Sequence, residues 1–187
     1  MRLLYRTELP DHDPISVFDW HERSGALERL TPPWAKLEVL DRSGGIRDGG
    51  RITLRVRGAP TSFTWKLRHG EYQHGRHFRD EQVSGPMKSW VHNHRFFPNG
   101  SGGTIAEDEI EVEPPFGSVG AALGSRFLKQ ELGRLFRFRY RRLLTDLSRH
   151  QDQSDQPRLT VAITGGSGLV GQALTHFLTT GGHRVIQ

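Results

Sequence analysis

"SWVHNHRFFPNGSGGTIAEDEIEVE", Ser89–Glu113, holds two runs of period two on either side of a Pro-Asn-Gly-rich turn. Successive side chains of a strand point to opposite faces. In the first run Trp90, His92, His94 and Phe96 therefore share one face, and Val91, Asn93 and Arg95 share the other. In the second run Thr104, Ala106, Asp108, Ile110 and Val112 lie together, opposite Glu107, Glu109 and Glu111, which read as a solvated edge. Two such runs joined by a short turn predict antiparallel neighbours with one buried and one wet face. If the apolar-rich face looks inward, two histidines and an aspartate look inward with it.

The same period extends upstream. In "RHFRDEQVSG" Phe78, Asp80 and Gln82 share a face; in "TSFTWKLRH" Phe63, Trp65 and Leu67 do; in "GGRITLRVRG" Ile52, Leu54 and Val56 do. "KLEVLD" adds a sixth strand, and "RLLYRTELP" near the start a seventh. Between those two, Asp13 with Pro14 predicts a capped short helix carrying Val17, Phe18 and Trp20. Ala26, Leu27 and Leu30 predict a second, which Pro32 and Pro33 end. Downstream, "SVGAALGSRFLKQELGRLFRFRYRRLLTDLSRH" repeats Leu123, Phe127, Leu132, Leu135, Phe136, Leu143 and Leu147 at helical spacing. Arg134, Arg137, Arg141 and Arg142 fall largely elsewhere on the wheel. The fold class is α+β: an antiparallel sheet of about seven strands whose apolar face needs a cover, and a long helix with a matching stripe.

Composition sets the limits. The chain has 187 residues, 34% hydrophobic and 25% charged, with a net charge of +5 and no Cys. Ten Phe, four Trp and three Tyr supply a core. Disulfides, thiolate metal sites and cysteine nucleophiles are excluded. No apolar run approaches the roughly 20 residues of a membrane span, and "MRLLYRTELPDHD" lacks a signal peptide's apolar core, so a cytoplasmic location is expected. The arginines alternate with apolar or acidic neighbours, so a solvated basic surface is preferred over nucleic-acid binding. "QDQSDQP", residues 151–157, has no core-forming residue and reads as a linker between 1–150 and 158–187.

Buried ionisable groups are costly unless paired, so the inward set Asp80, Gln82, His92, His94 and Asp108 has three readings. It forms an internal network in which the aspartates orient the histidines. Or it lines the polar end of a ligand cavity whose apolar part includes Trp65, Phe78, Trp90 and Phe96. Or it holds a metal, the weakest reading, because no third ligand stands at a diagnostic spacing. The first two are compatible. No catalytic residue is assigned.

The order of elements over residues 1–150 resembles the helix-grip fold of the START-like (polyketide cyclase/dehydrase, SRPBCC) superfamily, which implies a cavity between sheet and last helix. The pattern Gly85, Pro86, Trp90, His92, His94, Phe96, Thr104, Asp108 and Pro114, together with "FDWHERSGALERLTPPW" (Phe18–Trp34), is similar to the START-like domain that precedes an epimerase-like extended short-chain dehydrogenase/reductase domain in some bacterial proteins. The implied ligand is small and largely apolar. An alternative is an interaction module that presents its basic helix, "RLFRFRYRR", to a protein or to RNA.

"LTVAITGGSGLVGQAL" agrees with that resemblance. An apolar strand runs directly into Gly165, Gly168 and Gly171, the GxxGxxG form of such dehydrogenases, and then into a helix. The expected NAD- or NADP-binding set is Thr164, Gly165, Gly166, Ser167, Gly168, Leu169, Val170 and Gly171. There the first glycine permits the turn, the second lets N–H groups approach a pyrophosphate, and the third packs the helix on the strand. "HRVIQ" begins a second strand, so residues 158–187 read as a truncated Rossmann β-α-β fragment. The Tyr-x-x-x-Lys pair of the resembled family has no counterpart here. The catalytic half of an epimerase-like parent is thus expected in a further oxidoreductase domain, and the 187 residues alone are not expected to turn over substrate.

Overall fold

The computed structural model describes residues 1–57, 61–115 and 117–187, with side chains for all of these except 117–124. The chain forms β1 (Arg2–Leu9), α1 (Pro14–Glu22), α2 (Ala26–Leu30), β2 (Leu37–Ser43), β3 (Arg51–Arg57), β4 (Ser62–Gln73), β5 (His77–Ser84), β6 (Ser89–Pro98), β7 (Thr104–Glu113) and α3 (Gly117–Gln151). A separate β8 (Thr160–Ala162), α4 (Leu169–Thr180) and β9 (Arg184–Ile186) follow. The first seven strands make one antiparallel sheet in the order β1-β7-β6-β5-β4-β3-β2. This is the predicted meander, with β1 added beside β7 because α1 and α2 carry the chain across the sheet.

Local chemistry sets the helix that covers one end. Asp13 Oδ1 accepts from the backbone N–H groups of Ile15 and Ser16, both at 3.0 Å, and Pro14 stands in the first turn. The helix drives Val17, Phe18 and Trp20 to zero exposure, each such side chain contributing about 1.5–3 kcal/mol. They join Leu9, Phe78, Phe96, Leu143 and Leu147 in one core cluster. A second cluster gathers Leu54, Leu67, Trp90, Ile110, Val112, Leu132 and Phe136. The α3 stripe therefore closes both, with Leu132, Phe136, Leu143 and Leu147 buried and Leu135 half-buried.

Two expectations are corrected. Phe127 is 66% exposed rather than part of the stripe, because the contact with the sheet begins only at Leu128 and Leu132. Glu107 and Glu109 occupy the outer face as expected but are only 7% and 2% exposed. Arg6 Nε lies 2.6 Å from Glu107, Arg95 bridges Glu109 and Glu107 at 2.6 and 3.1 Å, and Arg2 pairs with Glu109. Long arginine stems laid across neighbouring strands shield the carboxylates from water. The Leu123 side chain lies outside the described residues.

The last segment is docked on the first domain. β8 and β9 pair in parallel on either side of α4. The C-terminal end of α4 rests on α2 and on the end of α3. Arg23 donates to the Thr180 carbonyl at 2.8 Å, and the His150 ring lies tilted against Phe177 with centroids 4.6 Å apart. Gly25, at φ +92°, must be glycine here, since a Cβ would stand 2.7 Å from Thr179 Oγ1 and 2.9 Å from the His176 backbone. Residues 152–157 between the two parts are all exposed.

Candidate functional site

Register brings the inward histidines and aspartates together. Asp80 on β5 faces His92 on β6, and His94 on β6 faces Asp108 on β7. His92 Nε2 lies 2.7 Å from Asp108 Oδ1, and its Nδ1 3.4 Å from Asp80 Oδ2. His94 Nδ1 lies 2.8 Å from Asp108 Oδ1, and its Nε2 3.2 Å from Asp80 Oδ2. Each imidazole thus touches both carboxylates in an alternating square, and the His92 and His94 rings are 3.8 Å apart. The Tyr140 hydroxyl on α3 donates to Asp108 Oδ2 at 2.7 Å. Phe78 stacks on His94 at 4.1 Å and Phe136 meets His92 edge-on at 5.8 Å, so aromatic rings shut the square in from both sides.

Burial works against the charged form of His92, but Asp80 and Asp108 outweigh it and push the pKa up to about 8. Burial likewise opposes both carboxylates, yet the two imidazoles hold Asp80 and Asp108 below the usual carboxylate range. Tyr140 is pushed up, first by burial and then by the adjacent Asp108 charge. All four imidazole nitrogens are turned on carboxylates, and Asp80, His92 and His94 each also offer a ligand atom within 4.8 Å of the others, a set that could hold a metal ion.

The square borders a cavity of about 310 Å³ between the sheet, the α1–α2 segment and α3. Its apolar wall includes Ala26, Leu27, Leu30, Ile52, Leu54 and Leu67. Phe78, Asp80 and His94 reach it from the expected set. His21, Leu30, His94 and Arg139 also line a water-sized recess of about 10 Å³, where Phe96 and Asp108 appear. His92 lies behind His94, outside both linings. Trp65 and Trp90 form an edge-to-face pair, centroids 5.2 Å apart, in the second core cluster, and Gln82 donates to the Met87 carbonyl at 2.6 Å. Those three lie outside both linings, because the sheet's apolar face extends beyond the part that α2 and α3 leave open.

Sequence reasoning missed His21, His69 and Arg139 on the cavity and Tyr140 behind it. The three on the cavity carried a signal. His21 follows Val17 by four residues, His69 has the parity of Leu67, and Arg139 follows Phe136 by three. The basic helix surface is distinct from this site. Arg134 stacks on Trp34 at 4.1 Å and Arg142 on Phe138 at 5.5 Å, and neither has an ion-pair partner among the described residues.

Residues 10–137 match the model of the family described as polyketide cyclase / dehydrase and lipid transport. The chain belongs to that family. Among solved structures, this polyketide cyclase/dehydrase domain is similar to the Zhui aromatase/cyclase from Streptomyces sp. R1128, at a TM-score of 0.62 and 14% identity over 80% of this chain and 94% of that one. TTHA0849 from Thermus thermophilus matches at 0.57 and 17% over 79% and 97%. Both share the fold. A nucleoside-diphosphate sugar epimerase from Corynebacterium glutamicum matches at 0.80 and 34% identity over 99% of this chain. The chain spans 38% of that protein's length. No curated protein matches significantly.

The glycine-rich turn lies beyond the family match. Gly165 takes φ +69° with open space over its Cα. A Cβ on Gly171 would stand 2.3 Å from the Gly165 carbonyl, so only glycine lets α4 start against the turn. Gly168, at the helix N-cap, offers no side-chain cap. Leu169 and Val170 are 89% and 78% exposed. No helix among the described residues is long and apolar enough to cross a membrane.

Proposed function

We propose that residues 1–150 bind a small, largely apolar molecule in the 310 Å³ cavity. The observation that carries this reading is one enclosure with an aliphatic wall and convergent polar groups, His21, His69, Asp80, His94 and Arg139, at its other side. His69 adds to it: its buried Nδ1 has no partner among the described residues, and burial lowers its pKa, so the neutral ring is available to a ligand. The neutral fluorescent probe N-phenyl-1-naphthylamine tests this. Wild type should bind it, while Leu54→Trp, which fills the cavity from β3, should abolish binding and leave far-UV circular dichroism unchanged. Equal binding by both proteins would place the probe elsewhere and sink the reading.

We further propose that residues 158–187 open a Rossmann domain of an NAD- or NADP-dependent, epimerase-like oxidoreductase, to which the first domain supplies its ligand. The 34% identity to the sugar epimerase over nearly the whole chain supports this, as does the turn at Gly165–Gly171. The backbone of Gly165–Val170 would hold the cofactor's diphosphate. A reading frame continuing from Gln187 into a Tyr-x-x-x-Lys segment is the expected outcome of sequencing the surrounding gene; a different continuation would refute this proposal.

A further inference from the structure

Among the described residues, the cavity has one inward cation with neither a carboxylate nor a hydrogen-bond partner. Arg139 lies on the buried stripe of α3, between Phe136 and Leu143, and lines both the cavity and the recess. No carboxylate among the described residues stands within ion-pair distance of it; its guanidinium lies 5.3 Å from the Phe136 ring centroid. The other cavity-lining charges are engaged or peripheral. Asp80 is held by His92 and His94. Glu22 is held by Arg47 at 3.1 Å and by the Tyr72 hydroxyl at 2.9 Å. Arg42 pairs with Glu28 and Arg23 donates to Thr180, while Arg51 stays exposed.

Beside Arg139 stands His21. Its Nδ1 donates to the Val17 carbonyl at 2.8 Å, which leaves Nε2 as an acceptor when the ring is neutral. Burial keeps it neutral, lowering its pKa to about 3 against the raising effect of that hydrogen bond.

Resting on the cavity reading above, we infer that the ligand is an apolar acid, whose anionic group pairs with Arg139 and whose neighbouring hydrogen-bond donor meets His21 Nε2. A neutral ligand would seal the guanidinium away from water with no partner, which is costly. An anion removes that cost and gains charge-assisted hydrogen bonds in a partly desolvated site.

Two probes with the same aromatic body separate the claims: 8-anilinonaphthalene-1-sulfonate, an anion, and N-phenyl-1-naphthylamine, its neutral counterpart. Both are titrated by fluorescence into wild type, Arg139→Gln, Arg139→Lys and Leu54→Trp. Arg139→Gln should weaken the sulfonate about ten-fold or more and the amine less than about two-fold, the loss of one charge-assisted contact. Arg139→Lys should recover part of it, and Leu54→Trp should remove both probes. Retained amine binding shows that each Arg139 variant is folded. If the amine binds and Arg139→Gln leaves the sulfonate unchanged, or weakens both probes equally, the inference is overturned and the cavity reading stands. If the amine does not bind wild type, both fall together.

Discussion

Asp108→Asn keeps the volume of a buried side chain and removes one of two negative charges from the histidine square. In the wild type the carboxylate stands 2.7 Å from His92 Nε2, 2.8 Å from His94 Nδ1 and 2.7 Å from the Tyr140 hydroxyl. Removing one partner of a buried ion pair costs about 3–5 kcal/mol, because the remaining charges stay desolvated. The pH dependence is more telling than the size. His92 is raised from 6.5 to about 8, so the fold prefers its charged form by about 2 kcal/mol. A raised pKa stabilises fully below the unfolded value and loses its effect as pH rises through the folded one. Through this group wild type should lose about 2 kcal/mol between pH 6 and pH 9. In Asp108→Asn the His92 midpoint should fall to 6.5 or below, since burial then faces only Asp80. The variant's deficit should accordingly be larger at pH 6 than at pH 9. Urea unfolding followed by circular dichroism at both pH values gives the deficit, and a proton NMR titration of the imidazoles gives the midpoint. A deficit under about 1 kcal/mol at pH 6, or a His92 midpoint still near 8 in the variant, would refute the argument.

Arg29→Ala strips the bidentate partner, at 2.6 Å on both sides, from Asp146, which is 1% exposed. It should cost about 3–5 kcal/mol in urea unfolding, with much of the loss recovered when Asp146→Leu is added. NADH and NADPH should bind these 187 residues with dissociation constants in the millimolar range or weaker. A helix N-terminus contributes about 0.3–2 kcal/mol, while millimolar affinity requires about 4 kcal/mol; micromolar binding by calorimetry would contradict this.

The sheet was legible because alternation leaves little freedom. Once Trp90 and Phe96 face the core, His92 and His94 must follow, and a one-residue slip would turn every side chain over. What alternation cannot report is depth. Trp65, Trp90 and His94 share the inward parity, yet the α1–α2 segment and α3 decide which borders empty space and which meets packed rings. The same gap separated face from solvation at Glu107 and Glu109, whose cover comes from Arg95 on the next strand and from Arg2 and Arg6, about a hundred residues away in sequence. Arg139 was hidden for a further reason. In "RLFRFRYRR" charge dominates every window, and only the three-residue step from Phe136 separates the inward arginine from its exposed neighbours.

The histidine square and the free arginine depend on each other. Arg139 packs among groups that include Asp108, and in most interiors a buried guanidinium would pair with the nearest carboxylate. Here both oxygens of that carboxylate already have partners, and no ion pair among the described residues reaches Arg139. Asp108 Oδ1 faces His92 and His94, and Oδ2 accepts from Tyr140. Asp80 meets both imidazoles through one oxygen, Oδ2. With its acids already matched inside the sheet, the domain leaves the charge of Arg139 directed at the cavity. On the proposed reading, the network and the ligand site are two parts of one arrangement: the square holds the negative charge in the wall, and the positive charge is left for the ligand.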